Sequence, residues 1–327
     1  MNARSSLADA LDAALEATIV GSFTRVGYAV RSRTNPWPDP TAATGRVVVI
    51  TGATSGLGLA AATRLAKLGA RLHLVGRSET KLAHAKAHVR LHATFEVVTH
   101  CCDLSSLRET RRLGETLVEL DTPIDVLIQN AGALLTNYTP TDEGLETTIT
   151  THVLSPYFLT EFLLAHGGFA PHARDITVTS GGMYSERFDL ATLEMTPATY
   201  RGTVAYARAK RAQCVLIPYW QRVHESSGVS FHLVHPGWAA TPGLTNGIPR
   251  FERVTKPFLR SADEGADTMV WLAGTSLEPT PGRLWLDRRP RSLYRLKKTR
   301  LSAREEEAAG VELARWCDER VTAALND

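Results

Sequence analysis

Cysteine is scarce in this chain: four residues in 327, Cys101, Cys102, Cys214 and Cys317, none of them in a CxxC pair. Cys101 and Cys102 are adjacent and poorly placed to bridge each other. A zinc site therefore has no support, no metal is expected, and free thiols in a reducing compartment are the simplest account. No apolar run reaches the roughly 18 residues of a spanning helix. The N-terminus lacks the charged region, long apolar run and small-residue cleavage site of a secretory signal. The expectation is a cytoplasmic protein, with peripheral membrane contact as the alternative. Excess charge is also missing: the net formal charge is only +3, which gives no reason to expect nucleic acid. Three nucleotide and hydrolase signatures are absent as well, namely a P-loop, a GxGxxG fingerprint and a GxSxG elbow. No internal repeat is present.

What the chain does have is an ordinary globular composition, 43% hydrophobic and 22% charged, enough to bury a substantial core. Residues 1–35 show helical periodicity through Leu7, Leu11, Ala14, Leu15, Ile19 and Val20. This preface suits packing on the main domain, capping a dimer or lying on a membrane surface, and packing is the expectation. Pro36, Pro38 and Pro40 then predict a stiff extended linker. Arginines cluster at Arg25, Arg31 and Arg33, and again at Arg283, Arg288, Arg289, Arg291, Arg295 and Arg300 with Lys297 and Lys298. Both runs are read as solvated surface, and the sharper alternative is attraction to lipid head groups.

From Arg46 onward, short β-branched runs alternate with helical periodicity. Val47–Ile50, Leu72–Val75, Phe95–Cys102, Val126–Gln129, Ile176–Thr179, Val229–Val234 and Leu284–Leu286 are predicted strands. Helices are predicted at 57–68, 78–93, 107–120, 145–164, 206–223, 262–273 and 302–325. The alternation predicts an α/β protein with a doubly wound parallel sheet, a Rossmann fold. The expected division is an N-terminal extension and linker over 1–44, the catalytic domain over 45–290, and a basic segment with an amphipathic helix over 291–327.

Thr51-Gly52-Ala53-Thr54-Ser55-Gly56-Leu57-Gly58 follows the first strand and opens a helix. Glycines there let backbone approach a ligand closely, and free N–H groups at the helix start attract phosphate. A tight turn without a ligand is the blander reading. At the end of the second strand stand Gly76 and Arg77, not the acid that would hold an NAD ribose. Gly76 leaves space where that carboxylate would stand, and Arg77 can meet a 2′-phosphate. NADP(H) is therefore favoured over NAD(H).

Tyr206 and Lys210 are four residues apart in a predicted helix, so both point from one face. A nearby ammonium favours the phenolate and lowers the phenol's pKa towards useful proton transfer. Ser180 follows a strand end, where its hydroxyl can stabilise developing negative charge on a substrate oxygen.

Together these residues make the chain resemble the short-chain dehydrogenase/reductase family over roughly 45–290. The matching pieces are TGATSGLG at 51–58, Asp103-Leu104, NAGA at 130–133, VTSGG at 178–182, YARAK at 206–210 and HPGWAATP at 235–242. Phe188-Asp189-Leu190 resembles retinol-dehydrogenase-like branches. The preface, the PGW sequence, the basic tail and the final helix look most similar to the family-member-12 type. The resemblance implies Ser180, Tyr206 and Lys210 as catalytic residues, with the lysine also holding the nicotinamide ribose. It implies Asp103 and Leu104 beside the adenine, and Asn130, Ala131 and Gly132 supporting sheet and cofactor. Pro236, Gly237 and Thr241 would approach the nicotinamide end. Gly52, Thr54, Ser55, Gly56, Leu57 and Gly58 would form the cradle.

One departure matters. Where the family has an asparagine at a helix kink that holds a relay water, this chain has His152. A histidine there can keep the relay, change its pH dependence, mark its loss, or simply pack. The implied activity is interconversion of a carbonyl and an alcohol on a small molecule. A nucleotide-binding regulatory or scaffold protein without turnover is the rival reading. The pocket is expected from residues 183–204 and 238–260. There Met183, Tyr184, Phe188, Trp238, Leu244, Ile248 and Phe251 suggest an apolar ligand. Homo-oligomers are usual in the family, although the preface could block or replace the usual interface.

Overall fold

The preface folds as three helices, α1 (Ala3–Glu16), α2 (Ile19–Phe23) and α3 (Arg25–Thr34). Thr18 sets the first break: its hydroxyl accepts from the Gly21 N–H and caps α2. The structure, a computed structural model, describes residues 8–34, 37–240, 253 and 255–326 in full and the backbone of 3–7.

Strand β1 (Val47–Thr51) is buried at every position, as a β-branched run covered on both faces must be. It leads into α4 (Gly56–Lys67), β2 (Arg71–Gly76), α5 (Glu79–Val89), β3 (Val97–Cys101), α6 (Leu107–Val118) and β4 (Ile124–Gln129). After a short helix α7 (Thr147–Ile149) come α8 (Ser155–Ala165), β5 (Phe169–Val178), α9 (Gly202–Val223) and β6 (Ser230–Val234). The last described elements are α10 (Ala262–Gly274), β7 (Leu284–Leu286), β8 (Arg289–Arg291) and α11 (Ala303–Asn326). The strands form one sheet in the order β3-β2-β1-β4-β5-β6-β7-β8, parallel except for β8. Crossovers run opposite ways from β1 and β4, which opens a crevice at their carboxyl ends. Helices α4, α5 and α10 cover one face of the sheet. Helices α6, α8, α9 and α11 cover the other. Among the described residues no helix is long and apolar enough to cross a membrane.

Two expectations need correction. The continuous helix predicted over 145–164 is interrupted by a wide π turn at Thr150–Leu154. Pro156 follows, and proline has no N–H to give the carbonyl four residues back, which is that of His152. That carbonyl instead accepts from Gln213 Nε2 at 2.9 Å.

The arginine runs are solvated surface only in part: Arg25, Arg33, Arg283, Lys297, Lys298 and Arg300 are exposed, and the others are drawn in. Arg31, Arg288 and Arg291 are buried or nearly so, and each meets a carboxylate of another segment. Arg31 reaches Asp12 at 2.6 Å and Asp287 at 2.7 Å. Arg291 also meets Asp12, Arg288 pairs with Asp267, and Arg295 pairs with Glu16. Burial works against the Asp12 charge, but the guanidiniums of Arg291 and Arg31 outweigh it and hold the carboxyl at about 2. The preface thus packs on the protein through ion pairs.

The β7–β8 turn explains how Asp287 reaches them. Asp287 and Arg288 both have φ +55°, so the two strands join through a two-residue turn of the left-handed kind. Asp287 is 1% exposed and lies between Arg31 and Arg260. Asp287→Asn keeps a residue that tolerates this backbone but removes the charge, leaving two guanidiniums buried without it. It is expected to lower unfolding free energy by about 3 kcal/mol in a denaturant titration. A loss under about 1 kcal/mol would show that the network contributes little.

Candidate active site

The cavity at the crevice has a volume of about 610 Å³ and is lined from the ends of β1, β2, β4, β5 and β6. Its floor is a stitch between two strand ends. The Asn130 and Ala131 N–H groups both donate to Thr51 Oγ1 at 3.0 Å. Asn130 Nδ2 donates to the carbonyls of Thr51 and Gly52. Gly52 (φ +66°) and Gly56 (φ +54°) turn the chain between β1 and α4 in conformations that favour glycine.

The start of α4 is open to this cavity. Serines cap α5, α6 and α10 by accepting from N–H groups of their first turns. Ser55 at the head of α4 makes no such bond. The uncapped N–H groups and the lining by Gly52, Thr54, Ser55, Gly56 and Leu57 suit a phosphate-bearing cofactor. Gly58 is absent from the lining. A Cβ there would stand 2.4 Å from the Gly52 carbonyl oxygen, so this glycine lets α4 pack under the loop.

At one end of the cavity lie Gly76, Arg77, Asp103 and Leu104, joined by Lys81, which sequence reasoning missed. Lys81 is one turn into α5, and its signal was the serine-capped helix start directly after Arg77. The space expected at Gly76 is not open: a Cβ would come within 2.8 Å of Thr54 Cγ2. A side chain there would have to displace Thr54. Asp103 is turned on itself, accepting from the Ser105 N–H and hydroxyl at 2.9 and 2.8 Å.

At the other end Ser180, Tyr206 and Lys210 come together with Gly132, Pro236 and Gly237. Ser180 follows β5 after Thr179, and Tyr206 and Lys210 share one face of α9, so both side chains meet the crevice. Lys210 Nζ donates to the Val178 carbonyl at 2.8 Å and stands 5.7 Å from the Tyr206 ring centre. The electrostatics differ from the expectation. Burial pushes the Tyr206 phenol above its usual range, and the Ser180 hydroxyl pulls it the other way. The same burial brings Lys210 down to about 7. Desolvation, not the ammonium, therefore dominates the phenol.

His152 is buried at this end. Its ring stands edge-on to Tyr206, with centroids 5.2 Å apart. Its Nε2 lies 3.0 Å from the Ala133 carbonyl, which can only accept, so Nε2 carries the proton. Burial first, then Lys210, holds the ring neutral at about 3. A Cβ on Gly132 would collide with this ring at 2.1 Å.

Of the expected apolar wall, Met183, Tyr184 and Phe188 belong to the core, and among the described residues only Trp238 lines the cavity. Thr241, Leu244, Ile248 and Phe251 lie outside the described residues. The wall instead includes Leu134, Leu135, Thr148 and Thr151, which had no sequence signal beyond following the NAGA turn. The four cysteines are unpaired, with only Cys101 exposed.

Comparisons with known proteins agree with this geometry. A family model described as short chain dehydrogenase matches residues 46–183. "Dehydrogenase/reductase SDR family member 12" of Homo sapiens is 34% identical over 273 residues, 82% of this chain and 85% of that protein. "Retinol dehydrogenase 12" of Homo sapiens is 29% identical over 74% of this chain and 78% of that protein. Among solved structures, a Mycobacterium Paratuberculosis protein superposes with a TM-score of 0.67 and 26% identity. It covers 87% of this chain and 96% of its own. A short-chain dehydrogenase from Sphingobium yanoikuyae in complex with NADPH shares the fold at a TM-score of 0.54 and 22% identity. That match covers 69% of this chain and 84% of its own.

The buried histidines make stability depend on acid. His152, His232 and His235 are each held at about 3, chiefly by burial, against an ordinary 6.5. Between those values the unfolded chain binds more protons. Their stabilisation is complete above about 6.5 and is lost as pH falls towards about 3. Asp175, pushed up to about 7 by burial, acts in the opposite sense, while His73, brought down to about 4 by burial and by His100, acts with these three. The urea midpoint is expected to fall steadily as pH drops from about 7 to about 4. A flat or rising midpoint would contradict this assignment.

Proposed function

Because this chain belongs to the short-chain dehydrogenase/reductase family, and is thereby an NAD(P)-dependent oxidoreductase of carbonyl and alcohol groups, we propose that it prefers NADP(H), acts on an apolar small molecule and uses Tyr206 as its acid and base. The observation that carries this reading is the convergence of Ser180, Tyr206 and Lys210 on one cavity wall, in the same cavity as the uncapped start of α4.

The nicotinamide, when bound, supplies or accepts the hydride. The remaining work falls to the chain. Ser180 donates a hydrogen bond to the substrate oxygen and stabilises charge that grows there during reduction. Tyr206 passes its hydroxyl proton to the same oxygen. Burial keeps the phenol protonated until negative charge grows on that oxygen. Lys210, anchored at Val178, 5.7 Å from the Tyr206 ring centre and brought down to about 7, changes its charge near neutrality and so sets the field beside the phenol. His152, neutral and wedged between Gly132 and Tyr206, orients the phenol ring. Leu134, Leu135, Trp238 and Ala239 form the apolar side for the substrate. Glycine in place of an acid at residue 76, with Arg77 and Lys81 at the same mouth, supports the 2′-phosphate.

Tyr206→Phe is expected to reduce turnover of aldehydes or ketones by at least about a hundredfold while NADPH still binds in a fluorescence titration. Full turnover by this variant would refute the role. Arg77→Ala combined with Lys81→Ala is expected to weaken NADPH about tenfold or more and leave NADH nearly unchanged. Equal weakening of both cofactors would remove the basis for an NADP preference.

A further inference from the structure

Gln213 is a polar residue in an apolar place. It lies on α9 three positions after Lys210 and seven after Tyr206, so the three side chains form one stripe down the helix. Its helix neighbours one turn away, Ala209, Leu216 and Ile217, belong to the core, and Gln213 itself is 3% exposed. An apolar side chain would fill this position without taking an amide out of water. Gln213 Nε2 donates to the His152 carbonyl at 2.9 Å. A carbonyl only accepts, so the amide orientation is fixed and Oε1 points elsewhere. That oxygen is buried with no hydrogen-bond partner among the described residues. A half-satisfied buried amide is costly, and a native structure that keeps one needs a reason.

The one bond it makes supplies the reason. Pro156 has no N–H to give the His152 carbonyl, and the chain widens there into a π turn, where the Ser155 N–H reaches back five residues to the Thr150 carbonyl. The Gln213 amide crosses from α9 and takes the place of the missing backbone donor. It thereby supports the turn in its wide form without requiring a regular helix.

The consequence falls on the His152 side chain. A π turn takes in one residue more than an α turn, so it changes the direction in which His152 leaves the helix. In this direction the imidazole stands edge-on to the Tyr206 ring at 5.2 Å between centroids. Its Nε2 meets the Ala133 carbonyl at 3.0 Å, and its ring fills the space that Gly132 leaves by having no side chain. His152 is thus held at two ends: by Ala133 at the ring and by Gln213 at the backbone.

We propose that Gln213 is a positioning residue for the reaction: by holding the His152 carbonyl it keeps the π turn open and the imidazole ring set against the Tyr206 phenol. Gln213 is absent from the cavity lining, so it acts through His152 and touches neither substrate nor cofactor. Without its amide the ring no longer backs the phenol in a fixed place. A small displacement of a reacting group costs turnover, while cofactor binding, which uses other residues, is spared. This inference rests on the reading of Tyr206 as acid and base.

The test compares the full chain with Gln213→Met and with Gln213→Met combined with Pro156→Ala. Methionine keeps the length and bulk of glutamine and removes the donor. Alanine at 156 returns a backbone N–H that can serve the His152 carbonyl, but only by closing the π turn into regular helix. The measured quantities are kcat and KM for reduction of 4-nitrobenzaldehyde with NADPH, the NADPH Kd from a fluorescence titration, and the thermal unfolding temperature. Gln213→Met is expected to lower kcat about tenfold or more and to change the NADPH Kd by less than about twofold. The added Pro156→Ala is expected to bring the unfolding temperature back towards wild type while kcat stays low. If Gln213→Met alone does not fold, the double variant carries the same expectation. An unchanged kcat in folded Gln213→Met, or recovery of kcat together with stability in the double variant, overturns the positioning role and leaves the reaction standing. Failure of the wild type to reduce the aldehyde, with NADPH bound, overturns the reading of Tyr206 and this role together.

Discussion

A single carboxylate, Asp287, lies between the guanidiniums of Arg31 and Arg260 with 1% of its surface exposed. Charges this deeply buried are tolerated only when every partner is in place. The constraint therefore ties together three distant stretches: the preface through Arg31, the region after β6 through Arg260, and the edge hairpin through Asp287 itself. Arg260 then donates to the carbonyls of Ser22 and Phe23, which fixes Phe23 against His235 and Trp238. What looked like an appendage in front of the main fold braces Trp238, which lines its cavity.

The doubly wound architecture was legible because it is written in local chemistry. A run such as Val47–Thr51, all β-branched, admits few readings once a glycine turn and a helical period follow it. The site was legible for the same reason: Ser180 depends on a strand end, and Tyr206 and Lys210 on a helical spacing. Three features escaped. Pro156 was visible, but its effect falls four residues earlier on the His152 carbonyl, and only the packing of α9 shows that Gln213 takes it up. The fate of the arginines was hidden because a charge run does not announce whether acids elsewhere will come to meet it. Asp12 and Glu16 are far away in sequence. Met183 and Phe188 misled for a related reason: apolar residues in a loop line a pocket or fill a core, and composition does not distinguish the two.

The electrostatics of the Tyr206–Lys210 pair carry a similar lesson. Spacing on a helix guarantees that the two side chains share a face, not which of desolvation and charge attraction wins. Here Lys210 is 3% exposed and bound to a backbone carbonyl, so burial governs both groups. A phenol raised by desolvation is well suited to holding its proton until an oxygen with developing negative charge arrives. The electrostatics of the Tyr206–Lys210 pair are set by dryness more than by an adjacent cation.

The hairpin that presents Asp287 also dictates when the molecule can be completed. The bond from Arg31 to Asp287 spans 256 residues, and that from Arg291 to Asp12 spans 279. During synthesis the acids of α1 leave the ribosome long before the arginines that neutralise them exist. The preface must wait, undocked, while nearly all of the sheet assembles. The packing of Phe23 beside the cavity-lining Trp238 is then among the last parts of the protein to form, so a truncated or stalled chain can own its glycine-rich loop and still lack this brace.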